Sequence, residues 1–278
     1  MTFAKANIII NDMNKKVTIR DIAKEAGVSI ATVSYVLNNR EDQSISEATR
    51  QKILQIVNLH QYRINFTAKC ISSGKTSIIT LFVGKSKNPL CRSEAMLITE
   101  KLYKYLSAKG YWLEIATGKE VKRFNSDAVI CYNVDEQFFR ELGEANFCPL
   151  IALDTKLVDN ELFYQIYTDY DKVKSVGDRI YGAGNYEVVS LPLNSEFLRQ
   201  EATRVFPNII FAADFGFTDK ILNRNAVVLG ETLGEYAKRF AKDVVTIDVF
   251  NKEKTDTLWQ CLDITINRLE AINHKIKL

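Results

Sequence analysis

The chain of 278 residues contains no long hydrophobic run, only two histidines and only four prolines. No apolar run approaches the roughly 20 residues that a bilayer-spanning helix needs, and the N-terminal residues show no signal-peptide pattern. We therefore expect a cytoplasmic protein without a membrane segment. His60 and His274 lie in helix-like segments far from any plausible nucleophile, which argues against a serine–histidine triad. Few glycines and prolines argue against extensive disorder.

The cysteines are few, odd in number and without paired spacing: Cys70, Cys91, Cys131, Cys148 and Cys261. This usage indicates reduced, mostly buried thiols rather than disulfides or a zinc site. The segment "SSGKTS" is not a phosphate-binding loop, because that motif needs glycine at the position of Lys69. We therefore expect no metal, no cofactor and no enzymatic activity.

Positive charge is concentrated near the N-terminus. Residues 1–75 hold 11 Lys/Arg and 6 Asp/Glu, a net charge of 11 − 6 = +5, and the remaining residues hold 26 and 28, a net charge of 26 − 28 = −2. A basic head on a nearly neutral body indicates contact with a polyanion. A solvated basic surface is the alternative, and charge alone does not decide between them.

The N-terminal quarter of the chain is predicted to be helical. Residues 1–16 are expected to form a flexible arm, and the apolar residues of "VTIRDIAKEAG" share one helix face that Gly27 ends. Ser29 and Ser46 are suitable N-caps for a second and a third helix. Residues 17–62 are therefore predicted to form a compact bundle of three short helices.

From residue 77 onward, apolar runs rich in β-branched residues alternate with helix-like segments. Strands are predicted in "SIITLFVG", "YWLEIA", "DAVICY", "PLIALD", "YEVVSL", "NIIFAAD", "AVVLG" and "DVVTIDVF". Helices are predicted in "SEAMLITEKLYKYLSAKG", "DEQFFRELGEA", "YDKVKSVGDRIYGAG", "NSEFLRQEATRVF" and "DTLWQCLDITINRLEAIN". Continuous apolar runs indicate strands covered by helices on both faces. Residues 77–278 are therefore predicted to form an α/β domain with one or two parallel sheets, after a linker over 63–76.

The first two helices and their glycine-containing turn have the form of a helix-turn-helix motif, whose second helix presents side chains to the major groove of DNA. The predicted outward face consists of Ile30, Ala31, Ser34 and Tyr35. Ile30 and Ala31 have no core to fill but can contact thymine methyl groups, and Tyr35 can hydrogen-bond a base edge. Four polar residues are placed for phosphates: Thr18, Ser29, Thr32 and Asn38. An ordinary helical hairpin with a surface tyrosine is the alternative.

The stretch "VTIRDIAKEAGVSIATVSYVLNNREDQSISEATRQKILQIVNLHQYRIN" closely resembles the headpiece of the lactose-repressor (LacI/GalR) family. It keeps the family pattern T-I-x-D-I-A-x-x-A-G-V-S-x-x-T-V-S-x-V-L-N. The resemblance implies that Ile30, Ala31 and Tyr35 choose the operator sequence. Because the family often has Arg or His at the position of Tyr35, we expect an unusual operator.

The same resemblance implies that the linker becomes a hinge helix on operator binding. Two hinges of a dimer would enter the minor groove, where an apolar side chain wedges between base pairs. The matching positions are Asn65, Ala68, Lys69 and Ile71, with Ile71 in place of the usual leucine. Ile64 replaces the usual proline, and Phe66 replaces a residue that is usually small or basic. A flexible linker that never folds is the alternative.

The body resembles the periplasmic sugar-binding proteins, which implies two α/β lobes with a ligand cleft between them. By that match the candidates for effector binding are Asn88, Arg199, Asp214 and Glu231, with Arg199 as the helix arginine that holds a sugar or a carboxylate. Polar residues at strand ends also serve as caps or surface groups, which is the alternative for each of them.

The body is shorter than the family pattern. Only the nine residues 117–125 separate "YWLEIA" from "SDAVICY", too few for a crossover helix. One helix remains between "YEVVSL" and "NIIFAAD", where the family usually has two with a strand between them, so Arg199 could belong to either. We therefore expect a reduced second lobe and a ligand cleft that is shallow or lost.

These observations predict a dimeric regulator, expected to be a repressor, that binds a pseudo-palindromic double-stranded DNA operator. A small molecule, such as a sugar or related metabolite, would act through different affinities for two conformations. The alternatives are a small-ligand-binding protein with a vestigial head and a repressor that has lost effector binding. An α/β enzyme is the least supported.

Overall fold

The computed structural model describes residues 17–37, 40, 43–60, 62, 74–118, 120–158, 163–269 and 274–278. The chain divides into two compact units, residues 1–72 and 73–278. Within the described ranges, no helix is both long enough and apolar enough to cross a membrane.

The described part of the first unit contains three helices, as predicted: α1 (Ile19–Ala26), α2 (Ile30–Leu37) and α3 (Glu47–Leu59). Thr18 and Asp21 cap the start of α1 reciprocally, and Gly27 ends it in the left-handed conformation with φ of 72°. The buried core consists of Ile22, Ala23, Ala26, Val33, Val36, Ile53 and Ile56. Small side chains at the crossing of α1 and α2 let the two helices approach closely.

The second unit contains two parallel sheets, which confirms the predicted α/β architecture. The strands are β1 (Ile78–Gly84), β2 (Trp112–Gly118), β3 (Ala128–Tyr132), β4 (Leu150–Leu153), β5 (Tyr164–Tyr167), β6 (Glu187–Ser190), β7 (Ile210–Phe211), β8 (Asn225–Leu229), β9 (Asp243–Ile247) and β10 (Lys275–Lys277). The first sheet has the order β10-β5-β4-β3-β1-β2, and the second has the order β7-β6-β8-β9. We call the parts built on these sheets lobe 1 and lobe 2.

Helices cover both faces of each sheet. They are α4 (Pro89–Ala108), α5 (Glu136–Ala145), α6 (Tyr170–Tyr181), α7 (Glu196–Val205), α8 (Phe217–Ile221), α9 (Glu231–Ala237) and α10 (Lys252–Ile266). In lobe 1, α4 and α10 pack on one face of the sheet and α5 on the other. In lobe 2, α8 and α9 pack on one face, and α6 and α7 on the other. This burial on both faces explains the continuous apolar runs of the strands.

Two shortened connections lie where the sequence predicts them. Residues 120–127, which lead into β3, contain no helix. A single helix, α7, connects β6 to β7. The strands β5 and β10 and the helices α8 and α9 were not predicted, because each is short and lacks a clear apolar period. Lobe 2 has four strands where lobe 1 has six, so the reduction falls on lobe 2.

Candidate DNA-reading surface and interlobe cleft

The outward face of α2 carries the side chains that the sequence assigns to base contacts. Ile30 is 43% exposed although it opens an apolar helix. Ala31 is also exposed, and Ser34 and Tyr35 are partly exposed. Val33 and Val36 point the other way, into the headpiece core. The helix therefore separates an inward apolar stripe from an outward surface that is exposed or partly exposed.

The hydroxyl groups predicted to contact phosphates also cap the helices. Ser29 Oγ accepts a hydrogen bond from the backbone N–H of Thr32 at 3.0 Å, and the two hydroxyls lie 2.9 Å apart. Thr18 donates through its backbone N–H and its hydroxyl to Asp21 Oδ2, at 2.9 and 2.7 Å. Such caps fix the starts of α1 and α2, where exposed backbone N–H groups favour an anion.

Tyr35 is held at the end of the outward face. The guanidinium of Arg40 lies 6.0 Å from the centre of the Tyr35 ring, within the range of a cation–π contact. The backbone N–H of Arg40 donates to the Tyr35 carbonyl at 2.9 Å. These contacts restrict the aromatic ring and place a positive charge beside it.

In the second unit, Glu94 joins the two lobes. Its carboxylate, on α4 of lobe 1, accepts the backbone N–H of Glu231 at 3.1 Å and of Thr232 at 2.9 Å, at the start of α9 in lobe 2. Glu94 is only 2% exposed. Burial raises the pKa of Glu94, although the hydrogen bonds from Thr232 and Glu231 act in the opposite direction. A Cβ atom on Gly230 would lie 3.1 Å from this carboxyl group.

Further polar contacts join the lobes around Glu94. Lys101 Nζ lies 2.5 Å from Glu231 Oε1 and 3.0 Å from Asp248 Oδ2. Asn133 Nδ2 donates to the Pro192 carbonyl at 3.1 Å. The chain's own polar groups therefore join the two lobes at these positions.

Ion pairs also join the two lobes at Glu201 of α7, in lobe 2. Lys156, which follows β4, pairs with Glu201, and Lys277 Nζ of β10 lies 2.5 Å from its Oε1. Burial acts to raise the pKa of Glu201, but the hydrogen bonds from Lys156 and Lys277 outweigh this effect and lower it. The Glu201 carboxylate is therefore held charged between two lysines of lobe 1.

A buried ion pair involves Asp154, a residue that borders the cleft between the lobes. Lys254 of α10 is 2% exposed, and its Nζ lies 2.5 Å from Asp154 Oδ1. The same ammonium donates to the Val249 carbonyl at 2.9 Å and to Thr168 Oγ1 at 3.3 Å. A buried charge needs such partners, so Asp154, at the end of β4, is already neutralised from within the protein.

The cavity that remains between the lobes is small. It has a volume of about 40 Å³ and is bordered by Glu94, Tyr132 and Asp154 from lobe 1 and Ser190 and Leu229 from lobe 2. A site for a small molecule usually encloses roughly 300–1,000 Å³. In this conformation this cavity has room for water but not for a sugar.

Comparisons with known proteins identify the first unit. The sequence model described as "Bacterial regulatory proteins, lacI family" matches residues 18–65. Over these residues the headpiece is similar to that family. The match covers both helices of the helix-turn-helix motif and continues into the linker.

Longer similarities extend into the body. The HTH-type transcriptional regulator PtxS of Pseudomonas plecoglossicida is 26% identical over 236 residues, which are 80% of this chain and 67% of that protein. The lac repressor dimer bound to operator and the anti-inducer ONPF has a TM-score of 0.56 and 16% identity, over 95% of this chain and 96% of that chain. The complex of the transcriptional regulator CelR with cellobiose has a TM-score of 0.50 and 16% identity, over 94% and 97%. At these identities the two structures show the fold alone.

The LacI-type resemblance nominated four effector-binding residues, which the structure does not bring into one pocket. Asn88 caps α4 and donates to the Ala212 carbonyl at 2.6 Å. Asp214 accepts the backbone N–H of Gly216 at 2.8 Å. Arg199 donates to the Leu193 carbonyl at 3.1 Å, and Glu231 pairs with Lys101. None of the four borders the interlobe cavity, and their role in effector binding stays a prediction.

The remaining LacI-type candidates lie outside the described residues. They are Asn38 at the end of the recognition helix and the hinge positions Asn65, Ala68, Lys69 and Ile71. Their contacts with DNA stay predictions from the family resemblance. Among the described residues, no group of three or more His, Cys, Asp or Glu side chains is arranged to hold a metal ion.

Proposed function

We propose that this chain is a sequence-specific DNA-binding transcriptional regulator that acts as a repressor. The observation that carries the proposal is the exposed apolar start of α2, Ile30 and Ala31, on a LacI-family helix-turn-helix. Apolar side chains at this position suit thymine methyl groups in the major groove. Such a regulator acts on chromosomal DNA, so the proposal places the chain in the cytoplasm.

The headpiece would read a half-site with few side chains. Ile30 and Ala31 would contact thymine methyl groups, and the Tyr35 hydroxyl would bond a base edge beside them. Ser34, between them on the same face, would contact a base or the backbone. Thr18, Ser29 and Thr32 would share their hydroxyl groups between helix capping and phosphates. The hinge positions, with Ile71 as the wedge, would bend the centre of the site.

We propose a homodimer, because two headpieces on a two-fold axis match a pseudo-palindromic operator. The edge of lobe 1 offers a surface for it. β2 is the terminal strand of the sheet, and its Trp112 and Ile115 are 63% and 53% exposed. Met96 and Tyr103 of α4 are also more than half exposed. An open strand edge with apolar side chains tends to pair with another chain.

The small cavity between the lobes bears on whether this regulator has an effector. The CelR neighbour carries cellobiose, and a sugar or related metabolite is the corresponding proposal here. A second candidate, a repressor that no longer binds an effector between its lobes, is favoured by the 40 Å³ cavity. In that case abundance or a partner protein would control it.

The decisive experiment is in vitro selection of DNA from a random duplex library by the purified protein without ligand. Enrichment of a two-fold symmetric site is the expected result. Affinity for that site should fall steeply as salt rises, because phosphate contacts release counterions. Failure to enrich any sequence would count against the proposal, and enrichment of half-sites alone would contradict the dimer.

A further inference from the structure

An open groove lies beside the closed cleft, mainly in lobe 1. It has a volume of about 600 Å³ and is formed by the ends of β1 and β2 and the first turns of α4. Leu191 is its contribution from lobe 2. The volume falls in the range of sites that enclose a small metabolite. The groove is therefore a place in the described body where a ligand fits without separating the lobes.

The groove lies at a position where parallel sheets bind ligands. β1 lies between β2 and β3 in the sheet, so the chain leaves β1 toward one side and later continues on the other. Crevices at the carboxyl ends of strands at such a switch point are the usual ligand sites of open α/β sheets. Residues 84–87, at the end of β1 and directly after it, border the groove at this point.

The charged side chains around the groove are all positive. Lys85, Lys87 and Arg92 border it, and no carboxylate is among the described residues that line it. Lys85 also borders a second cavity, on the opposite side of β1, together with Asp135 and Glu141. The argument therefore rests mainly on Lys87 and Arg92, for which no ion pair is seen within the described ranges.

A tyrosine side chain borders the same space. Tyr132, at the end of β3, is 8% exposed and borders both the groove and the small cleft cavity. Among the described residues no hydrogen bond of its hydroxyl group is seen. Burial raises the pKa of Tyr132, and nearby Asp154 and Glu94 add to the effect, so the hydroxyl stays protonated and able to donate.

We propose that this groove binds a small polar metabolite with a phosphate or carboxylate group. Lys87 and Arg92 would bind the anionic group, and the Tyr132 hydroxyl would donate to a polar atom at the inner end. Thr117 of β2 and Ser86 offer further hydroxyl groups along the wall. Charge-assisted hydrogen bonds of this kind are stronger than those between neutral groups.

The assignment of this ligand as the effector of the regulator rests on the proposed function. The groove also contains Met96 and Ile115, two of the exposed residues assigned above to the dimer surface. A ligand in the groove would therefore contact the same strand and helix that a second copy would use. Anion binding would then change the spacing of the two headpieces without opening the lobes.

The test is isothermal titration calorimetry on the full chain without DNA, with four probes. Glucose 6-phosphate and gluconate carry the two anionic groups, glucose is the neutral match, and inorganic phosphate reports simple anion binding. We expect one of the sugar anions to bind at least about tenfold more tightly than glucose and than phosphate. Which of the two binds more tightly distinguishes a phosphate from a carboxylate ligand.

Two variants locate the binding. Lys87→Gln/Arg92→Gln should weaken the sugar anion about tenfold or more, whereas Lys104→Gln/Arg179→Gln, which removes the same charges from exposed positions outside the groove, should not. Tyr132→Phe should weaken it with no loss of fold, since no hydrogen bond of the hydroxyl group is seen among the described residues. Equal binding of glucose, equal binding of inorganic phosphate, equal effects of the two double variants, or no binding by either sugar anion would overturn the proposal.

The same protein preparations should be assayed for binding to the DNA site from the selection. Anion binding without any selected DNA would reject the proposed regulator and keep the groove as a ligand site. Selection of a DNA site, with no binding of either sugar anion in calorimetry, would support the regulator and reject the groove as a ligand site.

Discussion

The headpiece and the body differ in how far apart in the sequence the residues of their main features lie. The reading surface of the headpiece lies on one helix of eight residues, α2. In the body, Glu94 bonds to the backbone of Thr232, 138 positions later, and Lys254 bonds to Asp154 across 100 positions. A surface on one helix is specified by a local pattern, whereas a site between lobes depends on the whole topology.

This difference has a consequence for how the two units tolerate change. The body has a shortened connection before β3 and a reduced lobe 2, while the headpiece motif is intact. Because 1–72 and 73–278 are separate compact units, loss of a strand or helix in the body leaves the geometry of α2 unaffected. We therefore expect that DNA reading and the proposed effector binding can be altered independently in this chain.

The largest effect that tests this independence is expected from Val33→Asp. Val33 is fully buried in the headpiece core, and an unpaired buried charge is among the most damaging substitutions, with a cost of more than about 4 kcal/mol. A domain of this size has little more stability than that, so the headpiece should unfold. Operator binding should be lost, while calorimetry should show an unchanged melting temperature of the body.

Leu59→Asp is the matched control for Val33→Asp. Leu59 lies at the end of α3 and is 75% exposed, so the same change of charge should leave the headpiece folded. If Val33→Asp lowers the melting temperature of the body as well, the two units unfold together and the comparison above fails.

The next largest effect is expected in the body, from Glu94→Ala. The variant removes the acceptor of two backbone N–H groups that join the lobes, so the free energy of unfolding of the body should fall by about 2–3 kcal/mol. Small-angle scattering should show a larger radius of gyration if the lobes separate. Glu100→Ala, on the exposed side of the same helix, should change neither quantity, and a similar loss in both variants would mean that Glu94 does not hold the lobes.

Glu94 also shows how far the sequence carries a prediction of the body. Leu90, Glu94, Ile98 and Leu102 follow one another at a spacing of four on the buried face of α4, so a carboxylate interrupts an apolar stripe. Lys254 interrupts the stripe of α10 before Leu258 in the same way. This spacing indicates that the two ionisable groups are buried and need hydrogen-bond partners. Their partners are given by the packing of distant segments, which no local pattern contains.

The headpiece was predictable almost in full, because caps, apolar period and glycine turn are all local. Ser29 and Ser46 cap α2 and α3 as predicted. The effector candidates depended on where strand ends meet, and Asn88 and Asp214 instead make local caps and turn contacts. Short elements such as β5 and β10 form only because neighbouring strands supply their hydrogen bonds.

A smaller effect, on specificity rather than folding, is expected from Tyr35→Ala. If Tyr35 reads a base edge, its loss should cost about 1–3 kcal/mol at one base pair of each half-site and relax the preference there. Selection repeated with the variant measures this directly. Tyr62→Ala, at a partly buried position outside the reading face, separates loss of fold from loss of reading. An unchanged base preference in the Tyr35 variant would contradict the docking of α2.

The smallest effects compare the backbone of the two units through two glycines. Gly27 has φ of +72° with nothing within 4 Å of a Cβ atom, so Gly27→Ala should cost the headpiece about 1 kcal/mol through backbone strain alone. Gly143 lies inside α5 with helical geometry, and its Cβ would lie 3.9 Å from Leu150. Gly143→Ala should therefore stabilise the body, by about 0.5–1 kcal/mol. Chemical unfolding monitored separately for each unit should show opposite signs, and the same sign for both would mean that Gly27 is not held in the left-handed turn.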